Sequence, residues 1–134
     1  MSIGFFDSNI LIYALGEDRR TGRAQDLLYA GGAISVQCLN EVAAVMRGKQ
    51  GLAWSDVEMG LKAIRELCAP IITLDENIHA VGISLAQRHR LSVYDGMIVA
   101  AALAAGCDIL WSEDMQDGLV VDGRLRVVNP FRPD

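Results

Sequence analysis

Five carboxylates are the residues in this chain whose placement suits chemistry. Asp7, Asp95, Asp114 and Asp117 fall where a strand ends or a helix begins, and Glu41 sits inside a largely apolar helical stretch. Carboxylates in apolar surroundings are costly unless their charge is compensated. Gathered in one pocket they would hold divalent cations, the usual compensation where phosphates are cut.

Each acid also has a backbone reading. Asp7 can cap the helix that follows it, since aspartate accepts hydrogen bonds from first-turn amides. Asp95 stands three residues after Ser92, the spacing of a capping box. Asp114 and Asp117 lie in the Gly-ended segment Ser112 to Gly118, where aspartate is common in turns. Glu41 differs: with Gln37 and Asn40 close by, it lies on the margin of an apolar stripe, where a glutamate needs a partner or solvent. Independent caps have no reason to gather at one end of a sheet, so the set points to a metal pocket more strongly than any member.

Other catalytic groups are scarce. The two histidines, His79 and His89, fall on a predicted helix away from the strand ends, so proton transfer by histidine is not expected. Ser8, Ser112 and the cysteines have no neighbouring base or elbow motif for covalent catalysis.

The elements that must position these acids alternate between short apolar runs and helical periods. Strands are predicted at Ile3–Phe6, Ala33–Val36, Ile71–Leu74 and Cys107–Trp111, with a last edge strand at Leu125–Val128. Helices are predicted from Ser8 or Asn9, over Arg20–Tyr29 up to Gly31-Gly32, over Gln37–Arg47, after a capping box at Ser55 to Glu58, over Glu76–His89 and over Tyr94–Ala105. The last is apolar on nearly every face and should be buried. This order implies an α/β fold with a mostly parallel sheet covered on both faces, whose ligands sit beyond the carboxyl ends of the strands. Asp7 and the Ser112 to Asp117 segment follow strands directly.

A chain of 134 residues is expected to be one domain spanning 1–134, with half of its residues hydrophobic. The formal charge of −5 opposes a basic carpet for nucleic acid, although Arg19, Arg20, Arg23, Arg47, Lys49, Arg88 and Arg90 form local clusters. Cys38, Cys68 and Cys107 are odd in number and set among apolar residues, which fits buried thiols better than a disulfide or zinc framework. Neither a signal peptide nor a membrane span is legible, so a cytoplasmic protein is expected.

Four blocks carry a family resemblance: Phe6-Asp7-Ser8-Asn9, Ser35 to Val42, Tyr94 to Ala102 and Trp111 to Gly118. In this order and spacing they resemble the motifs of PIN domains, specifically the VapC-type toxin ribonucleases, from Ile3 to Pro130. The resemblance implies a PIN-like three-layer sandwich and an endoribonuclease dependent on Mg²⁺ or Mn²⁺. Its metal-binding acids fall on Asp7, Glu41, Asp95 and Asp114, with Asn9 and Ser112 on supporting polar positions and Asp117 on a more variable one, as a helper. Gly96 departs from the pattern, standing where a slightly larger small residue is more usual.

The resemblance further implies a metal-activated water, 5′-phosphate and 3′-hydroxyl products, a homodimer, and an antitoxin whose C-terminal segment covers the acidic cleft. Mg²⁺ suits the set because it takes oxygen ligands and is commonly held by a few carboxylates plus substrate phosphate. Two other readings compete. A receiver-like signalling domain also has an acidic magnesium pocket, and Asp75 could accept phosphate, but Lys49 and Lys62, the only lysines, follow no late strand. Asn9 stands where a haloacid dehalogenase-type phosphatase has its second aspartate. A non-catalytic PIN fold kept for binding is opposed by the intact acids.

Overall fold

The computed structural model describes residues 3–132. Its elements alternate as the apolar periods require: β1 (Gly4–Phe6), α1 (Ser8–Leu15), α2 (Thr21–Ala30), β2 (Ile34–Ser35), α3 (Val36–Ala44), α4 (Trp54–Leu67), β3 (Ile71–Ile72), α5 (Glu76–His89), α6 (Val93–Ala104), β4 (Ile109–Trp111), β5 (Val120–Val121) and β6 (Leu125–Val128). The main sheet runs β1-β4-β6-β5, parallel except for β5. A parallel pair, β2-β3, joins it where Phe5 bridges Ala33, with Phe6 N donating to Ala33 O and Ala33 N donating to Gly4 O.

The core forms where these layers meet. Phe5, Phe6, Ile10, Leu11, Ile34, Val42, Ile98, Leu110 and Leu125 are fully buried. Helix α6 is buried from Gly96 to Ala102, as its all-round apolar sequence predicts. It packs closely on α5 because a glycine stands on each side: a Cβ on Gly96 would lie 2.3 Å from the Gly82 carbonyl oxygen, and one on Gly82 would lie 2.7 Å from Met97 Sδ. The smaller residue noted at position 96 is therefore what admits α5. The three cysteines are free and buried. No helix among the described residues is long and apolar enough to cross a membrane.

Several expectations are corrected. The predicted capping box does not start α4: the cap is Ala53, without a side-chain bond, and its carbonyl accepts from Asp56 N and Val57 N, which places Ser55 inside the first turn. Arg47 sets that start instead, bonding Leu52 O and stacking over the Trp54 ring. The helix expected to reach Arg47 ends at Ala44 and continues as a π-helical turn, Val45–Lys49. The β3 strand stops at Ile72, and Asp75 caps α5 by accepting from Ile78 N, which gives it a structural role. Strand β6 is not an edge: β5 folds back beside it through Asp122 and Gly123, both at positive φ as a tight hairpin turn demands.

Candidate active site

Register brings the first two site residues together. Phe6 pairs with Trp111 in the parallel β1-β4 ladder, so the residues that follow, Asp7 and Ser112, emerge side by side at the carboxyl end of the sheet. Asp7 N donates to Trp111 O at 3.0 Å, and Ser112 Oγ donates to Asp7 Oδ2 at 2.7 Å. Asp7 also accepts from Ser8 N at 2.7 Å, so it caps α1, as its position after a strand predicts.

Glu41 and Asp114 are held by neutral donors. Asn9 Nδ2 lies 3.3 Å from Asp7 Oδ2 and 3.1 Å from Asp114 Oδ2, linking the two carboxylates, while Asn9 Oδ1 accepts from Glu113 N. Ser8 Oγ donates to Glu41 Oε1 at 2.7 Å, and Gln37 Nε2 donates to Glu41 Oε2 at 2.9 Å. Glu41 reaches this point because β2, the parallel neighbour of β1, runs straight into α3 under a Ser35 cap. Asp95 stands in the first turn of α6, its own amide capped by Ser92 Oγ at 3.1 Å.

The electrostatics are those of uncompensated charge. Asp7 is 2% exposed, and burial pushes its carboxyl up to about 7, with the charges of Asp95 and Glu41 adding to the rise and the bonds from Ser112 and Ser8 opposing it. Asp95 is raised by burial and by Glu41 and Asp114. Among the described residues, none of these four carboxylates is paired with a lysine or arginine.

Asp117 is different. It accepts from Asn129 N at 2.7 Å and from Arg132 Nη1 at 3.2 Å, so its carboxylate pins the segment after β6. These two bonds give Asp117 a structural task at the chain's end, where it ties Asn129 and Arg132 to the turn after β4.

A cleft of about 660 Å³ opens beside this group, lined by Ser8, Asn9, Glu41 and Asp114 and by Tyr13, Arg20, Lys49 and Gln50; Asp7 and Asp95 do not line it. Among the described residues, no three His, Cys, Asp or Glu side chains converge closely enough to chelate an ion in this arrangement. The donor set nevertheless fits a hard divalent cation: every candidate ligand is a carboxylate oxygen, and burial leaves Asp7 short of positive charge.

Three features escaped the residue-level reading. Ser8 and Gln37 hold Glu41; Gln37 at i and Glu41 at i+4 share a helix face, a signal that could have shown the pair. Tyr13, Arg20 and Glu113 form a cluster, with Tyr13 Oη donating to Glu113 and Arg20 Nη1 reaching both. His79 is nearer than expected, since it shares a surface hollow with Gln37 and Tyr94.

A parallel sheet carrying acids at its carboxyl ends defines a class, and comparison assigns the family. The PIN domain family profile matches residues 4–116, and the chain belongs to the PIN domain family. A toxin-antitoxin complex from Klebsiella pneumoniae superposes with a TM-score of 0.73 at 25% identity, covering 97% of this chain and 99% of that one. VapC20 of Mycobacterium tuberculosis, described as a toxin that cleaves the sarcin-ricin loop, superposes at 0.68 with 18% identity, over 83% and 89%. VapBC2 from Rickettsia felis, bound to a DNA fragment from its promoter, superposes at 0.62 with 18% identity, over 84% and 88%. No curated protein matches the chain.

Proposed function

We propose that this PIN domain is an endoribonuclease dependent on Mg²⁺ or Mn²⁺ and the toxin of a toxin–antitoxin pair. The observation that carries the reading is the buried Asp7, raised to about 7, which feels the charges of Asp95 and Glu41, is linked to Asp114 through Asn9 and has no basic partner among the described residues. Such an arrangement is costly in the absence of a cation. The toxin role rests on the likeness to toxin–antitoxin structures.

Asp7, Glu41, Asp95 and Asp114 would hold the ion. When bound, it supplies Lewis acidity that activates water and offsets charge on the phosphate. The chain's own part is positional. Ser112 and Ser8 N fix the Asp7 carboxylate, Asn9 sets Asp114 relative to Asp7, and Ser8 and Gln37 aim Glu41. The open cleft admits a strand of RNA above them. Cleavage then leaves 5′-phosphate and 3′-hydroxyl ends.

The partner is an antitoxin segment that covers the cleft and offers a basic side chain to the unpaired acids, and the toxin is a homodimer. The test is incubation of purified protein with mixed cellular RNA in Mn²⁺ or EDTA, followed by mapping of the new ends. Cutting in Mn²⁺ alone, lost in Asp7→Asn and Asp95→Asn, supports the assignment. Equal cutting by wild type and variants points to contamination and rejects it.

A further inference from the structure

We infer that Arg19 and Arg23, with Phe131, form a phosphate-binding subsite that holds the RNA strand beside the acidic centre. This rests on the ribonuclease reading and specifies how an acidic protein grips a polyanion. The chain carries −5 overall, and in the cleft Arg20 and Lys49 only balance Glu41 and Asp114, so a net-positive grip on phosphate has to come from a neighbouring surface.

That surface is a second hollow of about 270 Å³, lined by Arg19, Arg20, Arg23, Pro130 and Phe131. Arg20 lines both hollows, so they share a wall. Across this wall Tyr13, on the rim of the cleft, meets Phe131 edge to face with ring centroids 5.3 Å apart. A strand leaving the acidic centre over this ridge arrives directly at the arginines.

The three arginines are not equivalent. Arg20 is committed: Nη2 binds Asp18 at 3.0 Å, Nη1 binds Glu113 at 3.1 Å, and its guanidinium stacks 4.0 Å over the Tyr13 ring. It builds the wall. Arg19 and Arg23 are exposed, and neither forms an ion pair among the described residues. Arg23 lies over Trp111, the residue before Ser112, which ties this surface to the strand that carries the site.

Exposed guanidiniums beside an aromatic ring suit a single-stranded backbone: they take phosphate oxygens while the ring offers a face to a sugar or base. A solvated helix face would place its charges at random with respect to the cleft, whereas here they adjoin it.

The test uses the full chain and two fluorescein-labelled RNAs, a tetranucleotide too short to span both hollows and a 12-mer that spans them. Binding is read by anisotropy in EDTA over a salt series, and cleavage separately in Mn²⁺. In Arg19→Ala/Arg23→Ala the 12-mer should bind about tenfold more weakly at low salt. The slope of log affinity against log salt should fall by about 1.4, the value for two phosphate contacts on a single strand. KM for the 12-mer should rise with kcat held, and cutting of the tetranucleotide should not change.

Lys62→Ala/Arg65→Ala removes the same charge from α4, which lines neither hollow, and should leave the slope near wild type. An unchanged slope in the Arg19/Arg23 variant, or an equal fall in the α4 control, overturns the subsite. Failure of wild type to cut either RNA in Mn²⁺ rejects the nuclease reading instead, while the anisotropy arm still decides the subsite.

Discussion

Ser8 Oγ donates to Glu41 Oε1 across 33 positions of sequence, joining the first turn of α1 to the middle of α3 at 2.7 Å. The same residue gives its amide to Asp7 at 2.7 Å. One serine therefore sets the spacing of two acids on different elements.

Ser8→Ala removes the hydroxyl while keeping the amide. Glu41 then retains only the Gln37 bond and samples other rotamers. Loss of a residue that orients a metal ligand typically costs 10- to 100-fold, and about that fall is expected in Mn²⁺-dependent cleavage, with an increase in the Mn²⁺ concentration needed for half-maximal rate. A wild-type metal dependence would show that Gln37 alone aims Glu41.

The pH dependence of stability follows from Asp7. Its folded value, about 7, lies above the ordinary 3.8, so the native state keeps a proton that the unfolded chain has released. The contribution to stability is full below about pH 4 and is lost as pH rises through 7. The span corresponds to roughly 4 kcal/mol, and Asp95, raised in the same direction, adds to it. In EDTA the urea midpoint should fall between pH 5 and pH 8. A midpoint that rises over this range contradicts the buried, unpaired state of Asp7.

Asp7→Asn tests the same charge from the other side. Asparagine can still accept from Ser112 or Ser8 but carries no charge, so in EDTA at pH 8 the variant should melt above wild type and its urea midpoint should vary less with pH. Mn²⁺ should raise the wild-type Tm, since a ligand bound only to the native state stabilises it, and should raise that of Asp7→Asn by less. An equal increment in both proteins removes Asp7 from the metal shell.

Gly96→Ala addresses the packing that delivers Asp95. The new Cβ would stand 2.3 Å from the Gly82 carbonyl, a backbone atom that cannot rotate away. Overpacking of this kind costs about 1–3 kcal/mol, or about 4 °C of Tm for each kcal/mol in a domain of this size. Thermal denaturation reads it, and an unchanged Tm would mean that α5 and α6 can move apart freely.

Asp117→Asn separates the structural acid from the metal site. Its bond from Asn129 N can persist, while the Arg132 ion pair, exposed at its edge, contributes less than about 1 kcal/mol. Cleavage and the Mn²⁺ increment in Tm should stay near wild type. A loss of cleavage comparable to that of Asp95→Asn would return Asp117 to the metal set.

The sequence alone determined the alternation of elements, the burial of α6, the placing of Asp7 and Ser112 after strands, and the four acids that resemble a PIN site. These depend on local signals: apolar period, caps, and the residue types that hard cations require. The Asp122-Gly123 hairpin is a local signal of the same kind, since Asp-Gly favours a tight turn. Tertiary structure alone decided the order β1-β4-β6-β5, the interior place of β6, the grip of Ser8 and Gln37 on Glu41, and the diversion of Asp117 to Arg132. Aspartates in one turn look alike along the chain; what distinguishes Asp114 from Asp117 is which donors packing brings within hydrogen-bond reach, Asn9 from 105 positions away or Arg132 from 15.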